Sequence, residues 1–137
     1  MIKTIIDANG AIFGRLASFA AKKALEGGEI IIVNSEKAII SGNKKNIIEE
    51  YSNFKKKGGH SLKGPRYSRV PYKMLKWAIR GMLPDFRRGI GKQAFKRIKC
   101  YNDFPEELKE KLKNEKLIDM KEKKLKYVTL EEVSKLI

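Results

Sequence analysis

Histidine and cysteine, which often carry nucleophilic or metal chemistry, each occur once in the sequence, as His60 and Cys100. A serine–histidine–acid triad would need His60, but this residue lies in a glycine-rich basic stretch with no carboxylate nearby in sequence. One histidine and one cysteine cannot complete a typical zinc site, which takes four nitrogen or sulfur ligands. We therefore expect no enzymatic activity, no catalytic residues, no metal and no cofactor.

Two glycine patterns resemble nucleotide-binding loops, and neither is complete. Residues 59–64 have the two-glycine spacing of a P-loop, but Pro65 and Arg66 follow where lysine and serine or threonine are required. Gly10 and Gly14 follow a strand-like segment, but their spacing is not that of the dinucleotide-binding loop G-x-G-x-x-G. We interpret these glycines as turn and packing residues, and we expect no small-molecule substrate.

Positive charge is concentrated between Lys55 and Lys99. This segment holds fifteen Lys and Arg residues and one acid, Asp85, so it carries +14 of the net charge of +15. Residues 1–54 contribute +1 and residues 100–137 contribute zero. A surface that only confers solubility mixes both signs, whereas this excess of one sign favours a polyanionic partner. Because lysine and arginine bind nucleic acids mainly through the phosphates, the sequence predicts a nucleic-acid-binding protein.

The basic segment has a glycine-containing loop, 55–68, followed by two predicted amphipathic helices. Pro71 is suited to the first turn of the first helix, and Pro84 ends it. Its predicted core stripe consists of Leu75, Ala78, Ile79 and Met82. Its opposite, cationic stripe consists of Lys73, Lys76 and Arg80. A second helix, about Gly91–Ile98, places Ala94, Phe95 and Ile98 inward and Lys92, Lys96 and Lys99 outward, and Arg87 and Arg88 lie in the link.

Aromatic residues are interleaved with these cations: Tyr67, Tyr72, Trp77 and Phe86. Such rings can stack on unpaired bases. Trp77 lies at the edge of the cationic stripe, and for it we favour burial against a neighbouring loop over base stacking. For Tyr67, in the loop, both alternatives stay open.

The remaining segments predict an α/β fold. Met1–Asp7 and Glu29–Asn34 have the apolar pattern of buried parallel strands, and a helix from Gly14 between them ends at Gly27-Gly28. Ala38–Ser41 is either a third short strand or the beginning of the next helix. Asn43 or Ser41 can cap a helix that continues to about Tyr51. Alternating strands and helices favour a sheet with right-handed crossovers.

The end of the chain is neutral and predicts smaller elements. Lys99–Tyr101 and Tyr127-Val128 are strand-like, Pro105 begins a helix, and Thr129 to Glu132 form a capping box before a terminal helix. The 137 residues fit a single domain, 1–137, with 55–99 as its RNA-binding segment and 100–137 as a neutral helical segment. Apolar runs too short to span a bilayer, no leader pattern and a single cysteine lead us to expect a cytoplasmic protein without membrane contact.

Several motifs resemble those of the large-subunit ribosomal protein family thirteen, in its archaeal or eukaryote-like form. They are Ile6–Gly10, Gly14–Ser18, Val33-Asn34, Ser41–Lys44, Gly64-Pro65 through Arg69, Pro71 to Arg80–Pro84, Ala94 and Arg97–Lys99. They occur in the order of the family and cover most of positions 4–105. The resemblance implies a three-layer α/β/α domain around a small, mainly parallel four-stranded sheet, extended by the basic loop and helices. It also implies a structural and assembly protein that binds large-subunit ribosomal RNA beside neighbouring ribosomal proteins and has no catalytic activity.

Two features depart from the family pattern. Asp103 follows Tyr101 and Asn102 where the family usually has glycine, and we expect the turn to survive in altered form because aspartate tolerates left-handed turns better than most residues. The histidine-rich ending of bacterial relatives is absent, which favours the archaeal branch.

We thus predict a structural protein of the large ribosomal subunit, located in the cytoplasm. The alternative is a free regulator that binds messenger or small RNAs outside the ribosome. The predicted RNA-binding residues are Lys55, Lys56, Lys57, His60, Lys63, Arg66, Tyr67, Arg69, Lys73, Lys76, Arg80, Arg87, Arg88, Lys92, Lys96, Arg97 and Lys99.

Overall fold

The computed structural model describes residues 3–56, 68–111, 117–119 and 126–137. The α-helices in these ranges are α1 Phe13–Leu25, α2 Lys44–Lys56, α3 Pro71–Met82, α4 Gly89–Lys96, α5 Glu106–Lys111 and α6 Leu130–Leu136, and a short 3-10 helix spans Ser35–Lys37. The strands are β1 Lys3–Asp7, β2 Glu29–Val33, β3 Ile39–Ser41, β4 Ile98–Cys100, β5 Leu117–Asp119 and β6 Tyr127–Thr129. The predicted mixed α/β class is confirmed.

The sheet at the centre of the fold is mainly parallel. Strand β2 lies between β1 and β4 and is parallel to both, with Ile5 opposite Ile31 and Ile30 opposite Ile98. The short β5 is parallel to the other edge of β1, which gives the order β4-β2-β1-β5. Strands β3 and β6 form a separate antiparallel pair. Ala38–Ser41, for which the sequence left two alternatives, therefore contains a strand.

Alternate side chains of β1 and β2 contribute to two apolar clusters, as the two-residue period of a strand requires. Ile6, Ile30 and Ile32 belong to a large cluster that includes buried residues of α1 and α3. Ile5, Ile31 and Val33 belong to a smaller cluster. The partly buried residues Tyr101, Phe104 and Leu108 pack against this smaller cluster.

A side chain caps the N-terminus of each of the two helices for which the sequence predicted such a cap. The Lys45 N–H donates to Asn43 Oδ1 at 3.1 Å, so Asn43 rather than Ser41 caps α2. The Glu132 N–H donates to Thr129 Oγ1 at 3.2 Å, which is half of the predicted capping box. Gly27 ends α1 as predicted, with a φ of 100° that favours glycine.

Long-range polar contacts organise the carboxyl ends of the strands. Asn34 has a left-handed φ of 58° and its Nδ2 donates to Asp7 Oδ1 at 3.0 Å, which links the end of β2 to that of β1. Asn102, after β4, accepts from the Tyr72 N–H at 3.0 Å and so satisfies a free donor in the first turn of α3. Among the described residues Asn34 is the only non-glycine with a positive φ, so Asp103 does not adopt a left-handed conformation.

Three predictions in the basic segment were wrong in detail. The second basic helix begins and ends earlier than predicted, and Ile98 begins β4 instead. Met82, predicted to be buried, is 46% exposed because it lies in the last turn of α3, and Met74 takes a place in the core stripe. Trp77, for which we favoured burial, is 47% exposed.

No helix in the described ranges is long and apolar enough to cross a membrane. Within the same ranges, no group of three or more His, Cys, Asp or Glu residues could hold a metal ion.

Gly91 permits a close approach between α4 and the link that precedes it. A Cβ atom at this position would lie 2.5 Å from the carbonyl oxygen of Asp85 and closer still to that of Pro84. We predict that Gly91→Ala lowers the free energy of unfolding by about 1–3 kcal/mol, since the link and α4 must move apart. Chemical denaturation measures this change.

Gly81→Ala is the matched control. A Cβ atom at Gly81 would meet nothing within 4 Å, so the substitution is expected to raise stability by about 0.5–1 kcal/mol. Equal effects of the two substitutions would contradict the close packing at Gly91.

Candidate nucleic-acid interface

Helix α3 divides into a buried face and a cationic face. Its buried residues are Pro71, Met74, Leu75 and Ile79. The helix packs against α1 and β4. Lys73 is exposed, whereas Lys76 and Arg80 are half-buried. The charged groups of Lys76 and Arg80 lie over neighbouring aromatic rings. Of the three residues in the predicted cationic stripe of α3, Lys73 is thus the most exposed.

The link between α3 and α4 joins the two basic helices through cation–π contacts. The Arg80 guanidinium lies 4.5 Å from the centre of the Phe86 ring, and that of Arg87 lies 5.5 Å from it. Lys76 Nζ lies 5.2 Å from the Phe95 ring of α4, and the Phe86 and Phe95 rings are 6.3 Å apart. These rings orient two cations of α3 and one of the link, which reduces the side-chain rotamer freedom that would otherwise be lost on binding.

We name the set formed by Lys76, Trp77, Arg80, Phe86, Arg87 and Phe95 the cation–aromatic cluster. Trp77 belongs to it because the Arg80 guanidinium lies 5.8 Å from its ring. Sequence reasoning noted Phe86 as a possible stacking residue and missed its role in orienting Arg80 and Arg87. The recurrence of aromatic residues beside cations was the signal for it, although the pairing depends on the fold of the link.

Asp85, the one acid of the basic segment, shapes the link. Its Oδ1 accepts from the Arg87 N–H at 3.0 Å and its Oδ2 accepts from Arg88 Nε at 3.1 Å. The Arg87 backbone N–H, followed by the Arg88 side chain, lowers the pKa of Asp85 below its usual value. The carboxylate thus holds the turn that presents both arginines, and in doing so offsets part of the charge of Arg88.

The other predicted residues on this part of the chain lie on exposed surfaces. Arg69 precedes α3, Arg88 lies in the link, and Lys92 and Lys96 lie on α4, all exposed. Lys99 is exposed on β4, with its Nζ 3.9 Å from Glu29 Oε1. A surface ion pair of this kind contributes little energy, so Lys99 can exchange this partner for a phosphate.

Arg97 differs from its neighbours because its side chain turns back into the fold. Its Nη1 donates to the Ala24 carbonyl at 3.1 Å, at the end of α1, where a cation also complements the helix dipole. The Gly27 N–H donates to the same carbonyl. The described contact is structural, and the predicted RNA contact of Arg97 stays a prediction.

The loop residues are not brought into this cluster by any described contact. Lys55 and Lys56 are exposed at the end of α2, a helix that packs against α6 and β6, and Lys55 Nζ donates to the Ile137 carbonyl at 3.2 Å. Lys57, His60, Lys63, Arg66 and Tyr67 lie outside the described residues.

Cys100 is buried beneath α3 and is not suited to nucleophilic chemistry. Burial raises the pKa of its thiol to about 12, although the nearby Lys76 charge opposes the shift. At neutral pH the group is therefore a thiol rather than the reactive thiolate.

The fold and this surface define a class of protein: an α/β domain that presents a preformed cationic face of the kind that binds nucleic acids. A family model described as Ribosomal protein L13 matches residues 2–107. The large ribosomal subunit protein uL13 of Methanocaldococcus jannaschii is 44% identical over 135 residues, covering 96% of this chain and 95% of that protein. That of Archaeoglobus fulgidus is 42% identical over 136 residues, 96% of this chain and 85% of the relative. That of Methanococcoides burtonii is 48% identical over 104 residues, 76% and 73% of the two chains.

The chain therefore belongs to the ribosomal protein L13 family. The resemblance recognised in the sequence motifs is confirmed, including its archaeal character.

Arg97→Gln tests the structural contact of this residue. We predict a loss of about 1 kcal/mol in unfolding free energy, since a charge-assisted hydrogen bond is lost at a half-exposed site. The exposed neighbour Lys96→Gln is expected to stay within about 0.5 kcal/mol of wild type. Thermal unfolding of both variants measures the difference, and equal stability of the two would argue against the bond to Ala24.

The raised pKa of Cys100 predicts slow alkylation. At pH 8 iodoacetamide should modify the folded protein far more slowly than the urea-unfolded chain, because only the unfolded thiol has an appreciable thiolate fraction. Mass spectrometry follows the reaction. Equal rates in both states would contradict the burial of this thiol.

Proposed function

We propose that this protein is a structural constituent of the large ribosomal subunit that binds large-subunit ribosomal RNA and supports subunit assembly. The single observation that carries the proposal is the cationic face of α3, the link and α4 on a chain of the ribosomal protein L13 family. The relatives are named as proteins of the large ribosomal subunit, which favours this location in the cytoplasm. The protein acts by binding, and no catalytic step is involved.

Recognition rests on RNA shape and backbone. The major groove of A-form RNA is too deep and narrow for side chains to read, so contacts concentrate on phosphates and 2′-hydroxyls. Lysine side chains act as mobile point charges, whereas the planar guanidinium groups of Arg80 and Arg87 can bind a phosphate with two hydrogen bonds. Phe86 holds these two guanidiniums in place before the RNA arrives.

The proposed RNA-contacting residues fall into three groups. The central group is the surface of α3, the link and α4: Lys73, Lys76, Arg80, Arg87, Arg88, Lys92 and Lys96. The second lies at its margins: Arg69, Arg97 and Lys99. The third is the basic loop with the end of α2: Lys55, Lys56, Lys57, His60, Lys63, Arg66 and Tyr67.

A single domain, 1–137, with three layers around a four-stranded sheet would hold the central group at fixed spacing. The two apolar clusters, to which neighbouring side chains of β1 contribute alternately, support layers on both faces of the sheet. The strand order β4-β2-β1-β5 supports the fourth strand. The neutral segment 100–137 is then available for neighbouring ribosomal proteins.

Salt dependence tests the central group. The triple variant Lys73→Ala, Arg80→Ala, Arg87→Ala should bind large-subunit RNA more weakly than wild type. Its slope of log affinity against log salt should be lower by about 2–3, since each lost phosphate contact removes about 0.7–0.9. The variant Lys3→Ala, Lys109→Ala, Lys135→Ala removes the same charge from exposed sites elsewhere and should keep nearly the full slope. Equal slopes for the two variants would refute this placement of the interface.

Sedimentation of a cell lysate separates the ribosomal role from that of a free regulator. The protein should migrate with large subunits and stay there in moderate salt, because many phosphate contacts act together. A protein found mainly in the light fractions at every salt concentration would reject the ribosomal role and favour regulation of free RNAs.

A further inference from the structure

We propose that Trp77 stacks on an unpaired base of the RNA that lies along α3, an inference that rests on the proposed RNA-binding function. The indole is 47% exposed, although the sequence pattern favoured its burial. It lies four residues after Lys73 and three before Arg80, so the three side chains share one face of the helix. A nucleotide at Trp77 would have a cation on each side for its flanking phosphates.

The orientation of α3 about its own axis determines that Trp77 is exposed. Met74, Leu75 and Ile79 are almost fully buried in the core, so the opposite face has no freedom to turn inward. The Arg80 guanidinium lies 5.8 Å from the indole and 4.5 Å from Phe86. Trp77 is thus a fixed part of the cation–aromatic cluster rather than a side chain that packs into the core.

Gly81 lies near Trp77 on α3, and the space where its side chain would begin is open. It lies four residues after Trp77, and helical side chains lean towards the N-terminus of their helix, so a side chain at position 81 would lean towards Trp77. A Cβ atom at Gly81 would meet nothing within 4 Å, which shows that the space there is open. A glycine in the last turn weakens the helix, so a larger residue at position 81 is expected to stabilise α3 while crowding Trp77.

This arrangement adds a preference that phosphate contacts cannot supply. The stacking faces of paired bases are covered by their neighbours in a helix, whereas unpaired bases in loops and bulges can stack on an aromatic side chain. Stacking also tolerates any base, since each has a π-face. The surface would therefore favour an RNA helix with an unpaired nucleotide over a continuous duplex.

The fluorescence of Trp77 tests the inference directly because it is the only tryptophan in the chain. The probes are a 12-nucleotide single-stranded RNA without self-complementarity and the same strand annealed to its complement. We expect strong quenching by the single strand and weak quenching by the duplex. Trp77→Leu should weaken single-strand binding by about 5- to 150-fold, and Trp77→Phe by less.

Two further measurements separate stacking from a structural role. Trp77→Leu should leave the salt slope of RNA binding unchanged, because it removes no charge. Gly81→Leu should raise the melting temperature, since leucine is a better helix former, yet weaken single-strand binding by crowding Trp77. Leu136→Ala, at an exposed apolar site on α6, is the control and should alter neither binding nor quenching.

The outcomes distinguish this inference from the function on which it rests. Normal affinity and salt slope without quenching, or equal quenching by duplex and single strand, would overturn base stacking and leave the RNA-binding function in place. Absence of salt-dependent binding in the wild-type protein would overturn both.

Discussion

The burial of Met74, Leu75 and Ile79 against α1 and β4 is the constraint on which the rest of the cationic surface depends. Each fully buried side chain of this size contributes about 1.5–3 kcal/mol, whereas repulsion between exposed cations is screened within about 8 Å at physiological salt. Apolar packing therefore outweighs the charge repulsion and anchors α3. The direction of its opposite face follows from this packing.

The link between α3 and α4 joins the basic faces of the two helices into one continuous surface. Asp85 holds the backbone of the turn, and Gly91 lets α4 approach the carbonyl groups of Pro84 and Asp85. Phe86 then lies between the two helices, where it contacts the guanidinium groups of both Arg80 and Arg87. One acid, one glycine and one aromatic residue thus arrange cations that would otherwise repel one another.

The periodicity of the sequence predicted those elements of the structure that depend on neighbouring residues. The apolar run of β2, the helix that ends at Gly27 and the two-faced pattern of α3 were all recognisable, and the family motifs supplied the function. Contacts between distant residues were not predictable in this way. Nothing near Asn34 or Asn102 indicates that the first would bind Asp7 and the second would cap α3. The exposure of Trp77 was mispredicted for a related reason, since a helical wheel gives the direction of a side chain but not which neighbours cover it.

The most direct test of the account is the accessibility of individual lysines in intact large subunits. Acetylation followed by mass spectrometry would compare Lys73, Lys92 and Lys96 on the cationic surface with Lys3, Lys109 and Lys135 elsewhere, all of which are exposed in the isolated chain. If the cationic surface lies against ribosomal RNA, the first three lysines are protected in the subunit and become reactive after ribonuclease digestion. Full reactivity of Lys73, Lys92 and Lys96 in the undigested subunit would contradict the claim that this surface lies against ribosomal RNA.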